Sequence, residues 1–437
     1  MKVLTDLKIC LQHEKFRKLL AIRLISQTGD GMFQIGLATL FFFNPQNATT
    51  AGGVALAFAV LLLPFTVVGP FAGPLLDRWR RRQVLYYGNL IRAVFTLVLA
   101  AIMMISPAHW AIYVLALVTL GINRFLLAAL SAGLPHTLPQ RLLVLANSIT
   151  PTLGSVAAVL GAAIGFLLNL VLPAGAQRNA VALVCAAVLF TGAALAATRL
   201  GAAELGPEGT ISTSLASELR KVISRLVSGV RYLIRRGMPA YGLGIMAIHR
   251  FLYGVNFIAL ILISRNLLTD PTNADAGLAT FAVIAGISFA GNGAAIVLTP
   301  IAHERISPSQ WIMICLGISA LSQAMMAVTY RIPWIYVSAA LLGLGVQGAK
   351  IAVDAIVQSH THDQFRGRAF SLYDMLYNSA FVGAAVLAAL VLPDTGWSAE
   401  VFLVLTGIYG LAAVWFWRCT SAISELPRAI NLSDFLN

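Results

Sequence analysis

The polar stretch that decides the fold is Gly73-Pro-Leu-Leu-Asp77-Arg78-Trp-Arg80-Arg81-Arg82, which lies between apolar segments at 55–76 and 84–105. It places four arginines and one aspartate within six residues, and each such charge would cost a few kcal/mol or more at the centre of a bilayer. We therefore predict a tight, water-facing turn between two membrane-spanning helices. The positive charge of the turn predicts that it faces the cytoplasm.

The composition places the chain in a membrane. Hydrophobic residues make up 59% of its 437 residues and charged residues only 11%, against about 25% charged residues in soluble domains. These values exclude a soluble enzyme. The net charge of +13 does not indicate nucleic-acid binding, because the basic residues lie in short loops between apolar runs and form no polar face.

Twelve stretches of the chain are long and apolar enough to span a bilayer, which takes about 20 mostly apolar residues. They are too long for transmembrane strands and lack the alternation of apolar and polar residues that such strands show. The predicted spans are 19–43, 54–76, 84–106, 110–133, 146–172, 179–199, 239–264, 277–301, 311–330, 333–357, 369–392 and 400–418.

The distribution of lysine and arginine predicts the orientation of the chain. With the N-terminus inside, 22 of the 30 basic residues fall in tails and loops on the cytoplasmic side, whereas Arg178, Arg265 and Arg331 fall in outer loops. Cytoplasmic loops of membrane proteins carry such an excess. We predict a multi-pass protein of the cell membrane (the inner or plasma membrane) with both termini in the cytoplasm.

A long polar stretch near the middle of the chain separates two sets of six spans. Part of it, residues 215–236, has apolar residues at helical spacing with basic residues between them, which predicts a helix on the inner membrane surface. The predicted domains are a cytoplasmic tail (1–18), a six-helix bundle (19–199), a cytoplasmic linker with an amphipathic helix (200–238), a second six-helix bundle (239–419) and a cytoplasmic tail (420–437).

The two halves carry a weak internal repeat. Pro74-Leu-Leu-Asp77-Arg78 has a counterpart in Pro300-Ile-Ala-His303-Glu304-Arg305, and His136-Thr137-x-x-Gln140 recurs as His360-Thr361-x-x-Gln364. The first pair is offset by 226 residues and the second by 224. Nearly equal offsets for two pairs in inner loops indicate a duplication.

The loop at residues 73–82 resembles a known family pattern, Gly-x-Leu-x-Asp-Arg-x-x-Arg-Arg. The matching residues include Gly73, Asp77, Arg78, Arg81 and Arg82. This loop is similar to the loop between the second and third helices of the major facilitator superfamily. The resemblance covers nearly the whole chain. It implies an all-α integral membrane fold of twelve transmembrane helices in two pseudo-symmetric six-helix bundles, and a transporter that works by alternating access.

Other stretches resemble the drug:proton antiporter branch of that superfamily, which includes macrolide efflux proteins and enterobactin exporters. One is Phe16-Arg-x-Leu-Leu followed by Ser26-Gln-x-Gly-Asp30-Gly. Another places Gly154, Gly161 and Gly165 along one stripe of the fifth span and looks like the antiporter signature of that helix. Close helix packing by small residues is the alternative interpretation of these glycines.

Asp30, in Gln27-Thr-Gly-Asp30-Gly-Met-Phe-Gln34, is the sole acid of the first predicted span. Ionisable residues inside spans are functional candidates by default, because each must find a partner or water. We expect Asp30, with Gln34 one turn later, to couple proton or substrate movement; a structural hydrogen bond to a neighbouring helix is the alternative. Arg124 in the fourth span is a further coupling candidate, with a salt bridge or an interfacial anchor as its alternative.

The seventh span carries His249 and Arg250 at the same depth as Asp30, so we expect this buried cation to pair with that anion, for coupling or for structure. Asp354 is a further candidate for proton coupling or substrate binding, but it has Lys350 as an i, i+4 neighbour, and the two can neutralise each other on one helix face, so a structural role is favoured. The aromatic residues expected to line the substrate cavity are Phe33, Tyr253 and Phe257.

The family loop also predicts a cytoplasmic gate. A carboxylate at an inner helix end, such as that of Asp77, can bond to the positive N-terminus of a neighbouring helix. The helix that begins near Ala369 is the expected partner. This contact would hold the cytoplasmic side shut.

The sequence contains no catalytic constellation, nucleotide-binding loop or metal-ligand pattern, so we predict neither an enzyme nor a cofactor or metal. The predicted function is proton-coupled efflux, by antiport, of small amphipathic compounds such as drugs or siderophore-like molecules, as in multidrug resistance. The expected partners are a small-molecule substrate, protons and the lipid bilayer, and the expected state is a monomer. The alternatives are a lipid or lysophospholipid transporter, an uncoupled facilitator or importer, and a non-transporting membrane regulator.

Overall fold

The computed structural model describes residues 8–38, 52–54, 56–57, 76, 79–105, 110–173, 176–206 and 215–423. Throughout these residues the regular structure is helical and no β-strand is present. The helices are α1 (Glu14–Ala38), α2 (Arg81–Ile105), α3 (Ala111–Gly133), α4 (Gln140–Val171), α5 (Ala176–Ala197), α6 (Leu215–Arg236), α7 (Met238–Leu262), α8 (Ala274–His303), α9 (Pro308–Val328), α10 (Ile332–His360), α11 (Asp363–Val391) and α12 (Ala399–Ile423).

Ten of the helices in the described part of the chain are long and apolar enough to cross a membrane, namely α2 to α5 and α7 to α12. Helix α1 occupies the first predicted span but carries more polar and charged residues, among them Arg23 and Asp30. The second predicted span, at 54–76, lies almost wholly outside the described residues. The helices confirm the predicted all-α integral membrane fold.

Local sequence signals determine where several helices begin. At the start of α9, the Ser307 hydroxyl accepts a hydrogen bond from the Gln310 amide (3.3 Å), and the Gln310 side chain accepts one from the Ser307 amide (2.9 Å), which is a capping box. Asn273 caps α8 in a similar way, by accepting a bond from the Ala276 amide (3.0 Å). Between α6 and α7, Gly237 has a φ of 76°, a left-handed conformation that favours glycine.

Two arginines predicted in outer loops lie instead in helical structure. Arg178 is in the first turn of α5 and Arg265 is in a π-helical turn, Ile263–Leu267, that continues α7. Both side chains are buried. The prediction was wrong because helices extend beyond their most apolar stretch, since a long arginine stem can pack against apolar neighbours.

The chain divides into two compact units. The first comprises the described residues of Met1–Asn47 and Leu63–Arg220, and the second those of Ala48–Leu62 and Lys221–Asn437. Within the first unit α1 packs on α4 and α5, and α2 packs on α3 and α5. Within the second, α7 packs on α11 and α12, and α9 packs on α10 and α12. Four helix pairings of the first unit thus recur in the second, as expected for a duplicated bundle.

Candidate functional site

A buried polar cluster lies between α1 and α2 inside the first unit. Helix α1 contributes Ser26 and Asp30, which are four residues apart, and α2 contributes Asn89 and Arg92, which are three apart. These spacings place each pair on one face of its helix. All four side chains are at most 3% exposed, so the cluster is sealed inside the bundle.

An ion pair forms the centre of this cluster. The guanidinium Nη2 of Arg92 donates to Oδ1 of Asp30, and the two side chains are 0% and 2% exposed. The other carboxylate oxygen, Oδ2, accepts a bond from Gln27 Nε2 at 2.6 Å. The guanidinium also stacks over the Phe190 ring of α5, with 3.8 Å between its central carbon and the ring centroid. Ionic, hydrogen-bonding and cation–π contacts therefore hold this one arginine in place.

A chain of hydrogen bonds fixes the far side of Arg92. Its Nη1 donates to Ser26 Oγ (3.2 Å), and that hydroxyl donates to Asn89 Oδ1 (3.0 Å). Two residues of α3 act on the Asp30 carboxylate, since Asn123 hydrogen-bonds with it and the charge of Arg124 attracts it. The cluster thus joins α1, α2 and α3 into one polar network, in which Arg124 supports the acid without replacing Arg92.

The partner predicted for Asp30 was wrong. We expected Arg250 to pair with Asp30 because both lie at equal depth in their predicted spans, whereas Asp30 bonds to Arg92 of its own unit. Arg250 lies over three aromatic rings of the second unit, those of Tyr253, Tyr377 and Phe381, at 5.2, 4.2 and 4.4 Å from their centroids. Depth along a helix does not specify which face points to which neighbour, so it could not identify the partner.

His249, the neighbour of Arg250, lies inside the second unit. It is 1% exposed, its Nε2 is 3.2 Å from Ser319 Oγ of α9, and its ring meets the Tyr409 ring of α12 edge-on. One and two turns further along α7 from Arg250, Tyr253 and Phe257 join an aromatic cluster with Phe281 and Phe381.

A pocket opens beside that aromatic cluster, between α7, α8 and α10. Tyr253, Phe257 and Phe281 supply aromatic surface, and Asn256 and Asn292 supply amides. Asn256 Nδ2 donates to Gln323 Oε1 of α9 at 3.0 Å, which fixes the orientation of its side chain. Apolar walls with a few oriented polar groups are typical of small-molecule sites.

Lys350 and Asp354 form the ion pair that their spacing predicts, with 2.8 Å between Nζ and Oδ2. Their side chains are 32% and 30% exposed, so solvent weakens the attraction, and exposed i, i+4 pairs contribute only about 0.3–0.5 kcal/mol.

Asp374 is an exposed acid within the membrane-spanning helix α11, and it was not among the predicted site residues. Its position, nine residues inside the apolar part of α11, was the signal that could have identified it.

Two further predicted residues follow Asp30 on α1. Phe33 is fully buried against Phe190, with 6.3 Å between ring centroids, and so lines no open space in the first unit. Gln34 is exposed, and its role in coupling stays a prediction. The residue of α1 that donates a hydrogen bond to Asp30 is Gln27, one turn before the acid.

The glycine stripe of α4 packs against α1. A Cβ added to Gly161 would lie 2.0 Å from the carbonyl oxygen of Thr28, and one added to Gly31 would lie 1.9 Å from a carbonyl oxygen of α4. Gly154 and Gly165 face side chains of α1 at 2.8 and 3.4 Å. The two backbones therefore nearly touch, as small residues allow in membranes.

Part of the family loop is described. Gly73, Asp77 and Arg78 lie outside the described residues. Arg81 Nη1 donates to the carbonyl oxygens of Ala132 (3.0 Å) and Leu205 (2.8 Å), and Arg82 Nε donates to that of Ala197 (3.4 Å). Ala132 and Ala197 lie at the C-terminal ends of α3 and α5, where basic side chains satisfy free carbonyls and the helix dipole.

Comparison with known proteins agrees with this architecture. A family model described as Major Facilitator Superfamily matches residues 243–432. A protein of Mycobacterium bovis and one of Mycobacterium tuberculosis, each named as an uncharacterized MFS-type transporter, are 33% identical to this chain over 398 residues. The alignments cover 90% of this chain and 88% of each relative.

Solved transporter structures have the same fold. A POT family transporter in complex with 5-aminolevulinic acid superposes with a TM-score of 0.67 at 11% identity, covering 93% of this chain and 96% of the other. A nucleoside transporter gives 0.64 at 14% identity, with 93% and 99% covered. A bacterial metal transporter gives 0.60 at 15% identity, also with 93% and 99% covered. At such identities the likeness is one of fold.

Proposed function

Because the chain belongs to the major facilitator superfamily and is a membrane transporter of that type, we propose that it is a secondary transporter that exports small amphipathic organic molecules in exchange for protons. The observation that carries the proposal is the sealed Asp30–Arg92 ion pair of the first unit. Asp30 is the proton-binding residue and Arg92 is the cation that responds to it.

The cost of the pair supports a functional role. Burying two charges costs several kcal/mol for each ion, and well-packed apolar side chains often replace a buried pair with no loss of stability. Charged residues inside spans are therefore rare and mark ion or substrate pathways. A pair of charges that is kept at this cost favours a site whose charge state changes during transport.

The proton step follows from the contacts. When Asp30 takes up a proton from water, its carboxylate becomes neutral and the ionic bond to Arg92 is lost. The guanidinium keeps the Ser26 hydroxyl and the Phe190 ring as partners. Arg92 is then released to adopt a second arrangement, and the network that joins α1, α2 and α3 changes with it. Two charge states of one cluster can thus bias two states of an alternating-access cycle.

Proton binding and substrate binding together supply the free energy that shifts the equilibrium between the two states. Moving a two-state equilibrium from 1:99 to 99:1 takes about 5.5 kcal/mol of differential binding. The pocket of the second unit supports an amphipathic substrate, because Tyr253 and Phe257 offer apolar surface and Asn256 offers an amide. Arg250, which lies over the ring of Tyr253, provides a positive charge for a polar end of the molecule.

The test uses the purified protein in proteoliposomes with a panel of lipids, siderophores and antibiotics. We expect at least one compound to move protons on addition and to be exported uphill when a pH gradient is imposed. Asp30→Asn should abolish uphill export and leave binding measurable. Asp270→Asn is the matched control, because hydrogen bonds from Thr272 hold the pKa of Asp270 below its usual range, so that it stays ionised.

Two results would contradict the proposal. Full uphill export by Asp30→Asn would remove that residue from the mechanism. Counterflow of a transported compound that ignores the pH gradient in the wild type would instead identify an uncoupled facilitator.

A further inference from the structure

Helix α6 divides into three faces, and one of them packs on the second unit. Tyr232 is 2% exposed and stacks on Phe365 of α11, with 4.1 Å between ring centroids and 6° between ring planes. Arg368 Nη1 of α11 donates to Ser228 Oγ at 3.0 Å. Arg236 Nε, at the end of α6, donates to the carbonyl oxygen of His360 at 3.1 Å. These contacts fix α6 against the ends of α10 and α11.

A second face of α6 is apolar and exposed. Ile223, Val227, Val230 and Ile234 recur at intervals of four, three and four residues, which places them within about 60° of the helix surface. Their exposures are 51, 52, 41 and 66%. Burying each of these four large aliphatic side chains would contribute about 1.5–3 kcal/mol of stabilising free energy, so the exposed stripe favours contact with an apolar surface.

A third face of α6 is basic. Arg231 and Arg235 are exposed and lie next to the apolar stripe, at about 40° and 80° from its edge, whereas the exposed Lys221 lies in line with Ser228 and Tyr232 of the packed face. A helix with an apolar face and a neighbouring Lys/Arg face lies in the headgroup region of a membrane, with the apolar residues directed towards the acyl chains. Long basic side chains can then reach up to the phosphates.

The chain connection places α6 at the membrane surface. Helix α6 ends at Arg236, Gly237 makes a sharp turn, and the membrane-spanning part of α7 begins at Met238. One residue therefore separates α6 from the start of a helix long and apolar enough to span the membrane. The positive-inside count assigns this surface to the cytoplasmic leaflet, which carries the anionic lipids.

We propose that α6 is a binding surface for anionic phospholipid headgroups, which Arg231 and Arg235 bind, with the Ile223–Ile234 stripe in the acyl region. A lipid bound there stabilises a helix that is bonded to the ends of α10 and α11. The anionic lipid content of the leaflet thus acts on the cytoplasmic ends of these two spans. This inference stands independently of the proposed proton coupling.

The first test measures lipid binding by the full-length protein. The protein in detergent is titrated with phosphatidylglycerol and with phosphatidylcholine, and bound lipids are counted by native mass spectrometry. Each basic residue near an anionic surface contributes about fivefold to binding, so Arg231→Gln/Arg235→Gln should weaken phosphatidylglycerol binding about 25-fold. Phosphatidylcholine binding should not change.

A control variant removes two charges elsewhere. Lys8→Gln/Lys15→Gln neutralises exposed residues of the N-terminal region and should leave phosphatidylglycerol binding as in the wild type. The proposal is overturned if the α6 variant keeps wild-type binding. It is also overturned if the control variant loses as much binding, because net charge and not α6 would then be responsible.

The second test needs no variant. Hydrogen–deuterium exchange of the wild-type protein is compared in nanodiscs of phosphatidylcholine alone and of phosphatidylcholine with phosphatidylglycerol. We expect slower exchange over residues 221–236 with the anionic lipid, and this protection should weaken at high salt. Equal exchange in both nanodiscs would overturn the proposal, as would protection that depends on protein concentration, which would indicate a second copy of the chain on α6.

Discussion

Removing one member of the Asp30–Arg92 pair should destabilise the protein more than neutralising both. Arg92→Gln leaves the Asp30 carboxylate inside the bundle with Gln27 and Asn123 as its hydrogen-bond donors and without a directly bonded cation. Asp30→Asn leaves the guanidinium with the Ser26 hydroxyl and the Phe190 ring. In the double variant Asp30→Asn/Arg92→Gln, two neutral amides face each other and no unpaired charge is buried.

The magnitude follows from the burial of both groups. Breaking a buried ion pair by removing one partner costs about 3–5 kcal/mol, because the other charge stays uncompensated. Protonation of the stranded carboxyl limits this cost for Arg92→Gln, and cation–π contact worth about 2 kcal/mol limits it for Asp30→Asn. The wild type, the two single variants and the double variant form a double-mutant cycle, for which we expect a coupling energy of at least about 2 kcal/mol. The double variant should be more stable than the sum of the two single effects predicts.

The assay is reversible unfolding of the four proteins in mixed micelles of increasing denaturing detergent. A matched cycle on Lys350 and Asp354 is the control, since that pair has a similar N–O geometry but is about one-third exposed. Its coupling should stay below about 1 kcal/mol. A coupling below about 0.5 kcal/mol at Asp30 and Arg92 would refute the reasoning, because contacts of independent residues add to within that value.

Gly291→Ala should lower the free energy of unfolding by about 1–3 kcal/mol, because its Cβ would lie 2.1 Å from the Ala340 carbonyl oxygen, whereas Gly293→Ala meets nothing within 4 Å and should be neutral. Equal thermal midpoints for the two variants in detergent would contradict this. Arg81→Gln removes bonds to two backbone carbonyls and should cost about 1–3 kcal/mol, while the exposed Arg80→Gln should cost nothing measurable. We expect faster amide exchange at the end of α3 in Arg81→Gln but not in Arg80→Gln. Identical exchange in these two variants would contradict the prediction.

The helices of the fold could be predicted from the sequence because hydrocarbon imposes a strict length and composition on each span. Helix α9 was expected at 311–330 and runs over Pro308–Val328, so the apolar run located the element and the capping box moved its start. The ends were less predictable, because polar residues such as Arg178 and Arg265 continue a helix past its apolar part.

Two charged members of the candidate site, Asp30 and Arg124, were predicted from the sequence, whereas the pairing of Asp30 with Arg92 was not. Asp30 stood out because an acid inside a span needs a partner, but its depth alone did not identify Arg92. The polar stripe of Asn89, Arg92 and Thr96 on α2, at intervals of three and four residues, was a usable signal that one face of α2 turns towards a polar neighbour. Only the packing of α2 against its neighbours determines that Arg92 meets Asp30.

Gradient-driven export by the neutral double variant tests the central claim most directly. In proteoliposomes with an imposed pH gradient, Asp30→Asn/Arg92→Gln should fold, bind and exchange a transported compound, yet accumulate none of it against its own gradient. A purely structural pair predicts the opposite, since neutralising both charges would then restore uphill export to the wild-type rate, and that result would contradict the account.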